Sequence, residues 1–112
     1  MTAPRLNRPL VLEAPVRQPD GAGGYGQTWQ ALGTLWAQVA ARTGREVADV
    51  TAPVSRVAYR ITVRAAPVGA PSRPRPEQRF RDGQRILSIL AVAEADTEGR
   101  WLICDAEEEI AP

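Results

Sequence analysis

The stretch Arg56-Val-Ala-Tyr-Arg-Ile-Thr-Val-Arg64 alternates apolar and polar side chains more regularly than any other part of the chain. Val57, Tyr59, Ile61 and Val63 lie on one face of an extended backbone, and the arginines lie on the other. This period of two residues predicts a strand that is buried on one face and exposed to solvent on the other. A strand of this kind indicates a mainly β fold.

Weaker strand signals lie on both sides of this stretch. Residues 10–16 form a short apolar run, residues 85–93 are apolar on both faces as in a central strand, and residues 100–106 are predicted as the last strand of a hairpin. The glycine-rich residues 18–26 predict a turn or a flexible hairpin loop. The segment 28–41 fits helical and strand spacing equally well, and its periodicity leaves the choice open.

Two further segments complete the expected architecture. Thr43-Gly-Arg-Glu46 has the spacing of a capping box and predicts a short helix that ends before Pro53. Residues 67–78 are rich in proline and predict a long exposed loop. We therefore expect a small mainly β domain, an SH3-like or sandwich-like β-barrel with one short helix. The single domain is expected to span residues 1–112, with a flexible N-terminus over 1–8, a projecting loop over 67–81 and an acidic C-terminal tail over 107–112.

The composition excludes most catalytic chemistry. All 14 basic residues are arginine, lysine and histidine are absent, and Cys104 is the single cysteine. A chain without histidine cannot assemble a Ser-His-Asp or Cys-His nucleophile, and one cysteine cannot form an internal disulfide or a cysteine-based zinc site. The acidic run from Glu107 to Glu109 lacks the spacing that wraps a cation. We therefore expect no enzyme, no cofactor and no metal site, and we expect Cys104 to be a small buried apolar residue.

The sequence also shows no membrane or export signal. No run of apolar residues reaches the ~18 that a transmembrane helix needs. The N-terminus lacks the apolar segment of a signal peptide. We expect a protein that resides in the cytoplasm and has no membrane partner.

The formal net charge of +1 conceals an uneven distribution. Residues 1–93 carry 13 arginines and 6 acidic residues, a net of +7, whereas residues 94–112 carry 1 arginine and 7 acidic residues, a net of −6. Complementary potentials of this kind set register and partner choice between subunits. We expect contacts with a neighbouring subunit through the polar face of the central strand and through the acidic end, namely Arg56, Arg60, Arg64, Glu107, Glu108 and Glu109.

Four arginines lie in and just after the proline-rich loop: Arg73, Arg75, Arg79 and Arg81. Prolines lower the conformational entropy of an extended segment, which favours a stiff arm that presents guanidinium groups to phosphates or to acidic neighbours. A solubilising loop without a partner is the plainer alternative. We interpret these four residues as candidates for proximity to DNA.

Taken in order, these segments resemble the small head–tail joining proteins of long-tailed bacteriophages, the head-completion or stopper family. The resemblance covers roughly residues 5–106. The lysine-free composition is also similar to that of connector proteins in alphaproteobacterial gene transfer agents, which are phage-derived particles. The matching segments are Asp20-Gly-Ala-Gly-Gly-Tyr-Gly-Gln-Thr-Trp29, Leu35-Trp-Ala-Gln-Val39, Thr43-Gly-Arg-Glu46, Tyr59-Arg-Ile-Thr-Val-Arg64, Phe80-Arg-Asp-Gly-Gln-Arg-Ile-Leu-Ser-Ile89 and Arg100-Trp-Leu-Ile-Cys104.

The resemblance implies a structural protein that forms a homo-oligomeric ring in the neck of a virion or virion-like particle. Portal and adaptor proteins would lie above the ring, and the tail terminator or other tail proteins below it. The resemblance further implies assembly in the bacterial cytoplasm, a strand for residues 28–41, and a loop over 67–81 that meets double-stranded DNA in the channel without reading its sequence. The competing hypothesis is a free-standing β-barrel module that binds a peptide or single-stranded nucleic acid.

Overall fold

The computed structural model describes residues 3–42 and 55–110, which form six antiparallel strands. The strands are β1 (Arg8–Pro19), β2 (Tyr25–Ala41), β3 (Ser55–Arg64), β4 (Arg79–Asp82), β5 (Arg85–Glu94) and β6 (Trp101–Ile110). They pair in the order β1-β2-β3-β6-β5-β4, and β4 pairs back with β1, so that the ring of strands is closed. The mainly β prediction is confirmed, whereas the short helix predicted after Thr43 falls outside the described residues.

The central strand β3 has the predicted two faces. Ile61 and Val63 are fully buried, and Arg60 and Arg64 on the other face are exposed. Burial of one such aliphatic side chain contributes about 1.5–3 kcal/mol to folding. The inner faces of all six strands supply one continuous core, which consists of Leu10, Leu12, Ala37, Ile61, Val63, Phe80, Leu87, Ile89, Leu102, Cys104 and Ala106.

Strand β2 resolves the ambiguous segment 28–41 in favour of a strand. The register between β1 and β2 shifts between Leu12 and Glu13, which lie opposite Gly33 and Ala31, so that Leu32 is an extra residue in β2. Gly33 has φ = 144°, a conformation that a side chain would disfavour. Such a β-bulge moves the apolar side chains out of strict alternation. This shift explains why the segment also matched helical spacing.

A two-stranded arm extends beyond the ring. Strand β1 pairs with β4 only over Val11–Glu13, and β2 pairs with β3 only over Ala37–Ala41. We call residues 14–31 the arm, because there β1 and β2 pair with each other alone among the described strands. At its tip the Asp20 carboxylate accepts hydrogen bonds from the backbone N–H groups of Ala22 and Gly24, at 2.8 and 3.0 Å.

Two predicted boundaries are wrong. The projecting loop over 67–81 ends before Arg79, because Arg79–Asp82 pair with both β1 and β5 as β4. The acidic tail from residue 107 continues β6 through Ile110, since β3 begins at Ser55 and supplies a partner for each of these residues. Within the described part of the N-terminal segment, Arg8 begins β1 and the Arg5 N–H donates to Gln38 Oε1 at 2.8 Å.

The ring closes at a short seam between β1 and β4. On the inner side Leu12 lies opposite Phe80, and both are fully buried. On the outer side Glu13, only 6% exposed, accepts hydrogen bonds from Arg79 Nε at 2.7 Å and from Arg81 Nε at 2.8 Å. Burial opposes ionisation of Glu13, but the hydrogen bonds and charges of the two arginines outweigh it and hold the pKa of Glu13 below its usual value.

The seam makes folding stability depend on Glu13 and on pH. We expect Glu13→Gln to lower the free energy of unfolding by about 2 kcal/mol near neutral pH, because the amide cannot accept both charged hydrogen bonds. The Glu13 carboxylate stabilises the fold above the unfolded-state pKa of about 4.3, and this contribution is lost as the pH falls through the lowered folded-state pKa. Urea unfolding of both proteins along a descending pH series measures the difference, which should shrink in acid. The exposed Glu98 provides a control, since Glu98→Gln should change stability by less than about 0.5 kcal/mol. A difference for Glu13→Gln that does not vary with pH would contradict this account.

The single thiol is the second feature of the core with a measurable consequence. Cys104 is fully buried, and burial, assisted by the neighbouring Asp105 charge, raises its pKa to about 12. We expect no reaction of native protein with a thiol-specific disulfide reagent at mildly alkaline pH, and reaction of one thiol per chain after unfolding in guanidinium chloride. Rapid labelling of the native protein would show that the core opens around β6.

Candidate functional site

The proline-rich loop between β3 and β4 is folded against the ring instead of standing away from it. Pro74 is fully buried and Gln78 is nearly so. Glu77 N–H donates to the Ile89 carbonyl at 3.3 Å, and Ile89 N–H donates to the Gln78 carbonyl at 3.0 Å, so the end of the loop is attached to β5. The tip of the loop is exposed to solvent, with Val68 86% exposed.

The two loop arginines differ in their surroundings. Arg73 is partly buried, and its Nη1 donates to the Ala66 carbonyl at 2.9 Å, which holds the two ends of the loop tip together. Arg75 is exposed, and among the described residues its guanidinium has no ion-pair partner. Its backbone N–H donates to Gln78 Oε1 at 3.0 Å, so the loop fixes the position from which the Arg75 side chain extends.

Arg79 and Arg81, the other two candidates, lie in β4 and form ion pairs with Glu13. The Arg79 guanidinium also lies 3.9 Å from the centre of the Trp29 ring, in cation–π contact. These two side chains thus have internal partners that serve the closure of the ring. The four arginines lie within nine residues of one another in the sequence, yet their environments differ. Arg73 is bound to the loop backbone, Arg75 is exposed, and Arg79 and Arg81 are paired with Glu13.

The polar face of β3 is also divided. Arg56 forms ion pairs within the chain, to Glu107 at 3.7 Å and to Glu109 at 3.5 Å. Arg60 and Arg64 are exposed and have no ion-pair partner in the part of the chain that the structure describes. Because exposed ion pairs contribute at most about 1 kcal/mol, the Arg56 pairs leave that side chain able to exchange partners.

Glu108 differs from its acidic neighbours because it is buried. Arg85 donates to both of its carboxylate oxygens, at 3.0 and 3.1 Å, and the Tyr59 hydroxyl donates to Oε1 at 3.3 Å. The Arg85 hydrogen bond outweighs burial and lowers the pKa of Glu108, and the same contact raises the pKa of Arg85. Glu107 and Glu109 point to the other face of β6, where they meet Arg56.

The site residues predicted from the sequence do not include the exposed aromatic side chains of β2. Trp36 is 56% exposed and lines a shallow groove with Leu35 and Arg64, and Tyr25 near the arm tip is exposed as well. The sequence carries one signal for this exposure, the uncharged stretch over residues 21–41. In the structure residues 25–41 of this stretch form the 17-residue strand β2, and only Ala37–Ala41 of it pair with β3. The described residues hold no cluster of side chains suited to a metal ion, and no helix that could cross a membrane.

Comparisons with known proteins agree on one family. A sequence profile described as phage head completion protein matches residues 1–109. A chain in a solved structure titled "Virion of native gene transfer agent (GTA) particle" is 57% identical, with a TM-score of 0.84, and the alignment covers 98% of this chain and 100% of that one.

A second solved structure shares the fold at low identity. Protein SF1141 from Shigella flexneri 2a is 22% identical, with a TM-score of 0.69 over 96% of both chains. A search of curated proteins found no match. With a closed antiparallel β-ring and a profile match over almost its whole length, the chain belongs to the phage head completion protein family.

Proposed function

We propose that this protein is a structural connector that forms a homo-oligomeric ring in the neck of a phage-derived DNA-transfer particle. The observation that carries the proposal is the 57% identity, along the full length, to a chain of a native gene transfer agent virion. Such a ring would join portal and adaptor proteins on one rim to tail proteins on the other. Assembly would take place in the bacterial cytoplasm, before the particle is complete.

The side chains support a mechanical role and not a catalytic one. Without histidine the chain lacks the side chain that most often acts as a general base near neutral pH, without lysine it cannot form a Schiff base, and Cys104 is buried with a raised pKa. The buried charges Glu13 and Glu108 are each bound by arginine and hold strands together. We infer that the protein has no enzymatic activity and needs no cofactor.

DNA contact in the channel would come from the loop between β3 and β4. Of the four arginines suggested for this role, Arg75 is the strongest candidate, because its side chain is exposed and lacks an ion-pair partner among the described residues. A guanidinium in this position would contact phosphates of any sequence, and the contact would weaken as salt concentration rises. Arg73 would act indirectly by holding the loop tip in place.

Deletion of the coding sequence tests the connector role. We expect cells without the protein to produce heads and tails that do not join, with DNA-transfer activity reduced at least tenfold. Electron microscopy of wild-type particles should show density for this fold at the neck. Normal tailed particles from the deletion strain would overturn the proposal, and a monomer that binds peptides or single-stranded nucleic acid would favour the free-standing module.

Substitution of Arg75 tests the DNA contact. Arg75→Ser removes the charge and should lower the nuclease-protected DNA retained per filled head, more strongly at low salt, where the wild-type contact is strongest, than at high salt. Arg75→Lys is the matched control, because it keeps a positive charge at the same position and should retain most of the DNA. Thermal unfolding of both purified variants should equal that of the wild type, since the internal contacts of Arg75 to Gln78 use backbone atoms and its guanidinium has no partner among the described residues. Unchanged DNA retention in Arg75→Ser would remove the loop from the channel.

A further inference from the structure

The two edges of the arm offer different backbone groups. At the tip the Asp20 N–H donates to the Gly24 carbonyl at 3.1 Å, which makes these two residues a hydrogen-bonded pair. Antiparallel pairs alternate, so the next outward-facing pairs are Pro19–Tyr25, Arg17–Gln27 and Pro15–Trp29. On the β1 side two of these three positions are proline and have no N–H to offer. The β1 edge of the arm is therefore closed to a further strand.

Among the described residues, nothing covers the β2 edge of the arm. Tyr25, Gln27 and Trp29 direct N–H and C=O groups outward, and no hydrogen bond from another described strand reaches them, because β3 pairs only from Ala37 onward. Residues 21–41 contain no charged side chain and no proline. Soluble proteins protect exposed edges with charge, proline or a covering segment. The absence of protection along this edge points to a strand that covers it in the assembled state.

A second open edge lies on β5. Strand β4 pairs with β5 only up to Ser88, and the end of the loop attaches at Ile89, so residues 90–94 have no partner on that side among the described residues. Leu90, 56% exposed, lies at a bulge of β5, and the stretch is uncharged until Glu94. Glu94 lies at the end of the β5 edge, and Arg17 lies on β1 opposite Gln27, with its guanidinium 4.3 Å from the centre of the Tyr25 ring. The two side chains have opposite charge, and neither forms an ion pair with a described residue.

We propose that neighbouring copies of the chain join by β-sheet pairing, the β2 edge of the arm (residues 25–31) against the β5 edge (residues 90–94) of the next copy. The proposal rests on the proposed ring and names the surfaces that build it. Two different edges make a head-to-tail contact, which repeats around a ring until it closes. Arg17, on the strand behind the β2 edge, then carries a charge complementary to that of Glu94 at the end of the β5 edge in the next copy.

Two substitutions block one edge each. Gln27→Pro removes an outward N–H from the β2 edge and leaves the pairing with β1 intact, because that N–H points away from Arg17. Its matched control is Gln27→Val, which also removes the side-chain amide but keeps the backbone donor. Leu90→Lys places a charge on the exposed β5 edge. Gln27→Pro and Leu90→Lys should each reduce tailed, DNA-filled particles at least tenfold, whereas Gln27→Val should resemble the wild type.

The deletion strain separates the two proposals. Loss of particles on deletion, together with normal particles from Gln27→Pro and Leu90→Lys, overturns the edge pairing and leaves the connector role standing. Normal particles from the deletion strain overturn the connector role itself. Equal thermal unfolding of the purified variants and the wild type shows that any loss of particles arises from assembly and not from misfolding.

Cross-linking in assembled particles identifies the occupant of the edge. A photoreactive benzoylphenylalanine at position 90 should link to β2 of another copy. Trypsin cleaves after Arg17 and Arg42, so all of β2 lies in one peptide, Gln18–Arg42, and the link is read by mass spectrometry. The free monomer should give no such product. A link to a different protein, a link to another part of this chain, or no link in intact particles would each overturn the proposal.

Discussion

The rest of the structure depends on the closure of the ring at the β1–β4 seam. Strand β4 has four residues, and it must pair on one side with β1 and on the other with β5. Three residue pairs hold it to β1, so backbone hydrogen bonds alone are few. The buried Glu13 carboxylate compensates, because it binds the two arginines that flank Phe80 and so fixes the register in which Phe80 enters the core. Charge on the outer face thereby positions an aromatic side chain on the inner one.

The sequence predicted strands wherever local alternation was complete. Strand β3 matched its pattern, since Tyr59, Ile61 and Val63 of its inner face lie in or against the core, and the last hairpin followed from the turn that precedes Trp101. The sequence did not predict strand β4, because its two arginines come directly after the proline-rich segment and resemble a continuation of a solvated loop. Alternation of Arg79, Phe80 and Arg81 was the available signal, but its partner Glu13 lies 66 residues away from Arg79. An ion pair between residues so far apart cannot be recognised from the pattern of a short stretch of sequence.

The acidic end, residues 107–109, was also predicted incorrectly from local sequence, because it is part of a strand and not a tail. A run of three glutamates was interpreted as a tail because like charges in sequence suggest repulsion and solvation. In a strand they separate: Glu108 turns inward to Arg85 and Tyr59, and its two neighbours turn outward to Arg56. Each charge thus meets a cation that the sequence places far away. The uneven distribution of charge along the chain, +7 before residue 94 and −6 after it, is therefore partly neutralised inside one molecule by strand pairing.

Closure of a sheet ordinarily removes edges that could pair with another chain. Here the strands differ in length, and the difference leaves edges open. Strand β1 has 12 residues beside a β4 of 4, and β2 has 17 residues of which five pair with β3. The surplus must leave the ring as an arm, and the bulge at Leu32 and Gly33 lies at the point where it does so. Prolines remove outward backbone donors from the β1 edge of that arm, whereas the β2 edge has no proline. One edge of the arm is thus protected and the opposite edge is uncharged, so only one of them can accept a further strand. A contact that uses two different surfaces can repeat around a ring, whereas a contact between identical surfaces stops at a dimer.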